Sequence, residues 1–378
     1  MTGVQRFDAV VIGGGIFGCY AALYLAGRGR RVALLEKEQA LFTKASVVNQ
    51  ARLHSGYHYP RSVATAAMSD EHKARFTEEH KDFVHFQFEK YYAIDRFGSF
   101  TDAAQFERFC QYLNIRCEQI TRHPLFNFDR MEALYRTEEY TFDPILIREY
   151  YIKKIAQNID IQPFTGAKII RAAAAGNSWD IHFQAADQRI QLQTPMVINA
   201  TYAAGSAVNQ LFGCDELQLT HEISEIAFVT SPQFKNTGLT VMDGPFGSIM
   251  PYGRSGLLSL SSVAYTHHKI SYQNTPQFDC QTADDPTCTP EAPGICTRCP
   301  RRPASNAYKM LRQMGVYFHP SVQFSHWFSY FTIKSKLKSS YIDDSRPTEI
   351  SMLRKTPQFY CLFAGKINSI YEVEKIVD

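Results

Sequence analysis

The sequence predicts an α/β fold in which a Rossmann-like dinucleotide-binding domain is joined to a second, α+β domain built on an antiparallel sheet. Near the start of the chain, an apolar strand, a glycine-rich turn, a helical stretch and a second strand follow one another over residues 8–36. Short strand patterns separated by turn residues recur over residues 219–272, as expected for an antiparallel sheet. The 378 residues are enough for two cores.

The glycine-rich turn indicates what the first domain binds. Gly13 would permit the tight turn, Gly15 would let the backbone approach a pyrophosphate, and Gly18 would let the helix pack close to the strand. The helix N-terminus would supply N–H groups and a positive dipole end. Glu36 follows the second strand, where its carboxylate can accept hydrogen bonds from ribose hydroxyls. The motif therefore predicts an adenine dinucleotide site.

Composition excludes some classes of protein. Forty basic and thirty-seven acidic residues give a net charge of +3, which is too small to indicate a nucleic-acid partner. The uncharged run at residues 9–27 lacks a basic leader and contains the glycine motif, so we interpret it as a buried strand and helix. No other run is long and apolar enough for a transmembrane segment. We therefore expect a cytoplasmic protein.

The rest of the chain alternates between helical and strand patterns. Helical patterns lie at residues 63–88, 100–113, from Asp143-Pro144 onward, 304–317 and at the C-terminus. Strand patterns lie at residues 168–172, 179–184, 189–193, 196–198, 225–230, 248–251 and 256–262. Residues 273–303, rich in Pro, Cys, Asp and Thr, have the composition of an irregular insertion.

Nine cysteines without a secretion signal do not predict a disulfide framework. Five of them are most simply small apolar residues. The other four form a C-x7-C-x7-C-x2-C array within the insertion, at Cys280, Cys288, Cys296 and Cys299. Four thiolates could bind a structural Zn²⁺, although the first two spacings are not those of a standard finger. The alternative is a loop with free thiols.

Several separated motifs together resemble the D-amino-acid-oxidase-like FAD-dependent oxidoreductases. They are the glycine motif with Glu36, Ala45-Ser46, Asp143-Pro144, Val197-Ile-Asn-Ala-Thr201, Arg346-Pro347 and Gly365-Lys366. The run Leu53-His-Ser-Gly-Tyr-His-Tyr-Pro60 looks closest to the L-2-hydroxyglutarate dehydrogenase and glycine oxidase branch. One position departs from the family, because Tyr202 stands where a glycine is usual.

The resemblance implies a glutathione-reductase-type domain that binds FAD rather than NAD, because the motifs extend over the whole chain. It implies non-covalent attachment, since no His-Ser-His-like element follows Ser46. The FAD-binding domain would comprise residues 1–88, 140–215 and 331–378. The substrate domain would comprise residues 89–139 and 216–330, with the insertion at 273–303.

The resemblance and the polar loop after the second strand together define the expected FAD contacts. Side chains of this loop could hydrogen-bond the pyrophosphate and ribityl oxygens, or the loop could be an ordinary polar surface. The expected contacts are Gly13, Gly15, Ile16, Phe17, Gly18, Glu36, Lys37, Ser46, Asn49, Gln50, Arg52, Leu53, Ile169, Ala200, Thr201, Gly365, Lys366 and Ile367.

Four residues are candidates for the chemistry. His54 could take a substrate proton as hydride leaves, or be a core histidine with packing neighbours. The resemblance implies that Arg346 clamps a substrate carboxylate, whereas the neighbouring aspartates offer it an ordinary ion pair. It also places Lys366 at the flavin N1/C2-oxygen edge, the alternative being a solvated lysine. Tyr252 is a candidate for the substrate face or a turn residue.

These observations predict a flavoenzyme that removes hydride from a C–H bond next to N or O of a small substrate. The resemblance points to a substrate with a carboxylate, such as an amino acid, an amine or a 2-hydroxy acid. Molecular oxygen, a quinone or another carrier would reoxidise the flavin. The alternative hypothesis is a dinucleotide-binding sensor or interaction protein whose cysteine insertion forms a zinc or redox contact surface.

Overall fold

The computed structural model describes residues 3–58, 60–61, 66, 72–341 and 348–376. The strands are β1 Gln5–Arg6, β2 Ala9–Ile12, β3 Val32–Leu35, β4 Arg52–Leu53, β5 Val84–His85, β6 Glu89–Asp95, β7 Cys117–Gln119, β8 Met131–Thr137, β9 Tyr140–Phe142, β10 Ile161–Phe164, β11 Lys168–Ala175, β12 Ser178–Ala185, β13 Gln188–Thr194, β14 Met196–Asn199, β15 Leu219–Thr230, β16 Thr237–Met242, β17 Gly247–Pro251, β18 Leu258–Ser262, β19 His267–Ser271, β20 Ser325–Leu337, β21 Glu349–Lys355 and β22 Gln358–Phe363.

Helices lie between and beside these strands. The α-helices are α1 Ile16–Ala26, α2 Lys73–Glu79, α3 Ala103–Tyr112, α4 Pro144–Gln157, α5 Gly205–Leu211 and α6 Ala307–Gly315. Short 3₁₀ helices occupy Tyr202–Ala204, Cys296–Arg298, Lys338–Tyr341 and Ile367–Ile376. Asp143 caps α4 by accepting hydrogen bonds from two backbone N–H groups, and Pro144 occupies the first turn, as the sequence predicts.

A six-stranded sheet has the strand order β10-β3-β2-β14-β22-β21. Its first five strands pair in parallel, and β21 is antiparallel at the edge. Strands β2, β3 and β14 are buried throughout, as expected for a parallel sheet with both faces covered. Helix α1 packs against this sheet and against α4. The predicted mixed α/β fold class is therefore confirmed.

A nine-stranded sheet forms the other large layer. Its order is β19-β15-β18-β17-β16-β6-β8-β7, with β20 also paired to β15. The pairings are antiparallel except for β16 with β6, so strands from two separate parts of the sequence meet in one sheet. Smaller sheets join β1-β13-β12-β11 and β4-β9-β5.

One sequence-based element boundary is wrong. Within the predicted helix 63–88, the described residues that are helical are Ala66 and those of α2. The chain leaves the helix at His80, whose ring stacks on Phe76 and lies 3.0 Å from the Tyr151 hydroxyl. The following aromatic run forms β5 instead. The predicted domain boundary at residue 331 falls inside β20, which pairs with β15 along its whole length. The division into two domains stays a prediction.

Within the part of the chain that the structure describes, no helix is long and apolar enough to cross a membrane. Residues 9–27, which contain an uncharged run, form buried strand β2, the glycine turn and helix α1.

Candidate active site

One large cavity lies at the carboxyl ends of the parallel strands. The residues that end or follow β2, β3, β14 and β22 line it, and so do residues of the nine-stranded sheet. The carboxyl edge of a parallel sheet is the usual ligand site in α/β folds. The cavity volume is about 1750 Å³, more than a single small substrate needs. It is large enough for an extended dinucleotide together with a substrate.

The glycine turn forms a cradle that only glycines can build. Gly13 has a φ of +108°, and a Cβ there would lie 2.6 Å from the Ala200 carbonyl oxygen. A Cβ on Gly18 would lie 1.8 Å from the Gly13 carbonyl oxygen, so α1 can approach the turn only without a side chain. Gly15 precedes the first residue of α1 and lines the cavity. This cradle at a helix N-terminus fits the pyrophosphate of FAD.

Polar side chains next to the turn are already positioned by backbone groups. Glu36 accepts hydrogen bonds from the backbone N–H of Gly14 at 2.6 Å and of Glu38 at 2.8 Å. Ser46 Oγ accepts from the Ile16 N–H at 3.0 Å. Both side chains line the cavity, and Glu36 is held at the end of β3 where a ribose would lie.

The predicted contacts divide into two groups by position. Most of them line the cavity: Gly13, Gly15, Ile16, Phe17, Glu36, Lys37, Ser46, Asn49, Gln50, Arg52, Ile169, Ala200, Thr201, Gly365, Lys366 and Ile367. Gly18 and Leu53 are not among the lining residues. Gly18 serves the packing of α1, and Leu53 is a fully buried core residue of β4. Direct contact of these two residues with FAD is therefore not supported.

The polar loop after β3 uses some of its side chains to fix its own shape. The Asn49 amide donates to the carbonyls of Ala45 at 3.1 Å and Ser46 at 3.0 Å, and it accepts from the Ala51 N–H at 2.7 Å. Gln50 donates to the Ser261 hydroxyl at 2.7 Å and so joins the loop to β18. The Asn49 side chain thus stabilises the loop itself, whereas the Gln50 side chain connects the loop to the nine-stranded sheet.

Arg52 lies in a buried polar cluster, and its partners are in the nine-stranded sheet. Its guanidinium donates to Thr240 at 3.1 Å and to Ser248 at 2.5 Å, and its Nε lies 3.5 Å from a Glu139 carboxylate oxygen. The Lys90 ammonium also donates to Thr240, at 2.5 Å. Arg52 also lines the cavity, so its predicted contact with the pyrophosphate stays a prediction.

Glu139 is the negative charge at the centre of this cluster. It is buried, and it accepts a hydrogen bond from the Tyr92 hydroxyl at 2.8 Å. Burial alone would raise the pKa of its carboxyl, but Arg52, His54 and Lys90 bring that pKa well below the usual range. Glu139 is therefore ionised at neutral pH.

His54 lines the cavity beside this carboxylate. Its Nδ1 lies 3.5 Å from a Glu139 oxygen, and its ring lies 5.9 Å from the ring of His58. Burial lowers the pKa of His54, Glu139 opposes this effect, and the charges of Arg52 and Lys366 add to it. Burial and Arg52 lower the pKa of His58 further. Both imidazoles are therefore neutral at pH 7, and His54 can accept a proton.

Lys366 is buried in the wall of the same cavity, and its charge reaches His54. Its carbonyl accepts a hydrogen bond from the Ser369 hydroxyl at 2.7 Å in the terminal 3₁₀ helix. A cation at this place fits the prediction for the flavin edge, although the contact itself stays a prediction.

The two remaining candidates for the chemistry are Tyr252 and Arg346. Tyr252 is not a cavity-lining residue, because its hydroxyl donates to the Val47 carbonyl at 2.7 Å and its ring packs against Phe228. Its predicted role at the substrate face is therefore replaced by packing. Arg346, with Pro347, lies outside the described residues.

Tyr202 satisfies the backbone requirement of the glycine that it replaces. Its φ is +55°, the left-handed conformation that glycine adopts most easily. Its ring stacks on Phe363 at 5.3 Å, and its hydroxyl exchanges hydrogen bonds with the backbone of Ser335. These contacts stabilise the strained position, so the close turn is formed despite the departure.

The predicted zinc site is not supported. Among the described residues, no three His, Cys, Asp or Glu side chains are placed to hold a metal ion, and all nine cysteines are free. All four clustered cysteines line a separate cavity of about 230 Å³, and Cys296 also borders the main one. The Cys288 sulfur accepts a hydrogen bond from the Gly294 N–H at 3.2 Å, so it helps to hold the backbone of this loop in place.

Sequence reasoning missed Glu139, Lys90, Thr240 and Ser248. A buried arginine requires a partner of opposite charge, so Arg52 was a signal that an acidic residue must lie nearby. The identity of that residue depends on how β8 and β9 bring the Glu139 turn next to β4. No local pattern contains this information.

The fold and the glycine cradle define the class of protein as an FAD-dependent oxidoreductase. The chain belongs to the DAO family, described as FAD dependent oxidoreductase, whose model matches residues 8–291. It is therefore an enzyme, and the alternative of a sensor or interaction protein without catalytic activity is not supported.

Known proteins are similar to the chain over nearly its full length. The FAD-dependent monooxygenase FPY4 of Fusarium mangiferae is 22% identical over 365 residues, covering 96% of this chain and 87% of that protein. Glycine oxidase from Geobacillus kaustophilus aligns with a TM-score of 0.70 at 13% identity, covering 98% and 92% of the two chains. FAD-bound L-alpha-glycerophosphate oxidase from Mycoplasma pneumoniae gives 0.69 at 14% identity, covering 98% and 94%. The two solved structures show a shared fold.

Proposed function

We propose that this enzyme removes hydride from a C–H bond next to N or O of a small substrate that has a carboxylate. The observation that supports this proposal is one cavity with two different parts. One part has the glycine cradle and Glu36, and the other has the neutral imidazole of His54 beside an ionised carboxylate. When bound, FAD supplies the hydride acceptor, and the chain supplies orientation and proton transfer.

His54 would take the proton from the substrate hydroxyl or ammonium group. Because Nδ1 faces the Glu139 carboxylate, the proton of the neutral ring is expected on Nδ1. Nε2 is then the basic nitrogen. The carboxylate stabilises the imidazolium that forms, which is the role of the acid in other carboxylate–histidine pairs. Glu139 is thus a positioning residue and His54 the catalytic base.

Positive charge around His54 supports an anionic substrate. Arg52 and Lys366 line the cavity and both act electrostatically on His54. Arg61 also lines the cavity, but Asp243 pairs with it at 2.5 Å. The positive charge of Lys366 would attract a substrate carboxylate, whereas it would repel a cationic substrate. An amino acid or a 2-hydroxy acid therefore fits better than a simple amine.

An anaerobic substrate screen tests the proposal. Purified protein loaded with FAD is mixed with amino acids, amines and 2-hydroxy acids, and the loss of flavin absorbance is followed. We expect bleaching by a carboxylate-bearing compound and slow or no bleaching in His54→Asn. Readmitted air distinguishes an oxidase from a dehydrogenase that needs a quinone or another carrier. Protein that binds FAD but is bleached by none of these classes would contradict the proposed substrate class.

The cytoplasmic location stays a prediction.

The similarity to a FAD-dependent monooxygenase over 96% of the chain favours a second candidate, oxygen insertion into the substrate. The two activities differ in the fate of oxygen. Turnover under ¹⁸O₂ would place the label in the product of a monooxygenase, whereas an oxidase would release it as hydrogen peroxide.

A further inference from the structure

Part of the cysteine- and proline-rich insertion forms a wall of the main cavity. Residues 286–296, here called the cover segment, include nine lining residues: Pro286, Thr287, Thr289, Glu291, Ala292, Pro293, Gly294, Ile295 and Cys296. The cover segment contacts Lys37, which directly follows Glu36 at the end of β3. It therefore lies beside the carboxylate that is expected to bind the adenosine ribose.

Two lysines attach the cover segment to the first domain. Lys37 Nζ donates to the carbonyls of Thr287 at 3.0 Å, Ala292 at 2.8 Å and Pro293 at 3.2 Å. Lys44 Nζ donates to the same Pro293 carbonyl at 2.8 Å. Hydrogen bonds from an ammonium group are stronger than those between neutral groups, so these four contacts are a substantial attachment.

Glu38 holds both ammonium groups in place. Its carboxylate lies 2.8 Å from Lys44 and 3.4 Å from Lys37, and the two positive charges surround it. Although Lys37 lines the cavity and was expected to contact the cofactor, its donors point to backbone carbonyls of the insertion. These two lysines therefore bind backbone carbonyls of the protein rather than a phosphate of the cofactor.

The cover segment also has internal hydrogen bonds of its own. Backbone hydrogen bonds join Thr289 and Ala292 in both directions, and the Gly294 N–H donates to the Cys288 sulfur at 3.2 Å. A Cβ on Gly294 would lie 3.1 Å from Cys288 Cβ, so the two strands of this turn are in close contact. The turn directs the Pro293 carbonyl to both lysines.

We propose that the cover segment encloses the adenosine end of FAD and that Lys37 and Lys44 hold it closed. Proline, alanine and isoleucine side chains in this segment offer an apolar surface to a flat base. The attachment would slow cofactor release without taking part in the chemistry. This inference rests on the proposed function, because it assumes that FAD lies in this cavity.

The test uses FAD whose adenine has been converted to the fluorescent etheno derivative. Wild-type protein is compared with the double variant Lys37→Met/Lys44→Met, which keeps the aliphatic stems but removes the charges. We expect stronger quenching of the bound etheno-adenine by iodide, and cofactor dissociation at least about tenfold faster, roughly the effect of losing one charged hydrogen bond.

Lys269→Met is the matched control, because Lys269 pairs with the exposed Asp279 elsewhere in the insertion and does not contact the cover segment. Gly294→Ala, which disturbs the turn without removing a lysine, should also speed dissociation. If wild-type protein binds no FAD, the proposed cofactor placement fails. If wild type binds FAD while the double variant matches wild type and Lys269→Met in quenching and release, only the cover segment proposal is overturned.

Discussion

At the scale of single residues, the proposed chemistry depends on the protonation of His54. Its pKa is lowered by burial, so the base is already unprotonated at neutral pH. The catalytic rate should be flat above neutrality and fall in acid as the ring takes up a proton. We expect kcat/KM of His54→Asn to be about 10²- to 10⁴-fold lower than that of the wild type. The variant should also lack the acidic limb of the pH profile, which is the fall in rate at low pH. Steady-state kinetics from pH 5 to 9 measure both effects, and an unchanged profile would exclude His54 as the base.

Glu139 should act through His54 rather than on the substrate. The carboxylate raises the pKa of His54 against burial, so Glu139→Gln should lower that pKa and move the acidic limb to lower pH. The weaker base should cost roughly 10- to 100-fold in kcat, as loss of an orienting partner does at metal sites. Tyr92→Phe removes a neighbouring hydrogen bond but keeps the carboxylate, so it should leave the limb near its original pH. A rate loss without a shifted profile would indicate structural damage only.

At the scale of elements, the contact between α1 and the glycine turn determines whether the cofactor site forms. A Cβ on Gly18 would lie 1.8 Å from a backbone oxygen, which no side-chain movement can relieve. We expect Gly18→Ala to lower the free energy of unfolding by about 2 kcal/mol or more and to abolish FAD binding. Gly315→Ala in α6 is the control, because a Cβ there meets nothing within 4 Å and alanine favours a helix. Chemical denaturation and flavin titration report the two effects.

The start of the insertion is joined to β15 by a buried histidine. His221 lies 3.1 Å from the Asn274 carbonyl and 2.7 Å from the Ser335 hydroxyl, and burial lowers its pKa to about 4. Because the unfolded chain takes up the proton at about 6.5, stability should fall as pH decreases from 6.5 to 4, by up to about 3 kcal/mol from this residue. In His221→Gln the stability should fall less over this interval. Urea unfolding at several pH values tests this, with the exposed His319→Gln as the control.

At the scale of the whole molecule, the sequence predicts local elements better than long-range neighbours. The glycine motif, the Asp143 cap and the strands of residues 168–193 follow from short patterns, and the structure has them. The partners of Arg52 could not be predicted, because they come from strands that are joined only by the sheet order. The zinc prediction has no support among the described residues, and cysteine spacing alone does not determine where the sulfur atoms point.

Because both large sheets line one cavity, FAD should protect parts of each sheet together. Hydrogen exchange of the backbone amides can separate the two ends of the cofactor. ADP should slow exchange at residues 13–18, 36–46 and 286–296, which border the glycine cradle and the cover segment. FAD should protect these and also residues 52–58 and 240–248, around His54 and the substrate sheet. The two patterns differ only if the flavin ring reaches the second sheet. Equal protection by ADP and FAD at residues 240–248 would therefore contradict the proposed orientation of the cofactor, and unchanged exchange at residues 13–18 would contradict the cradle itself.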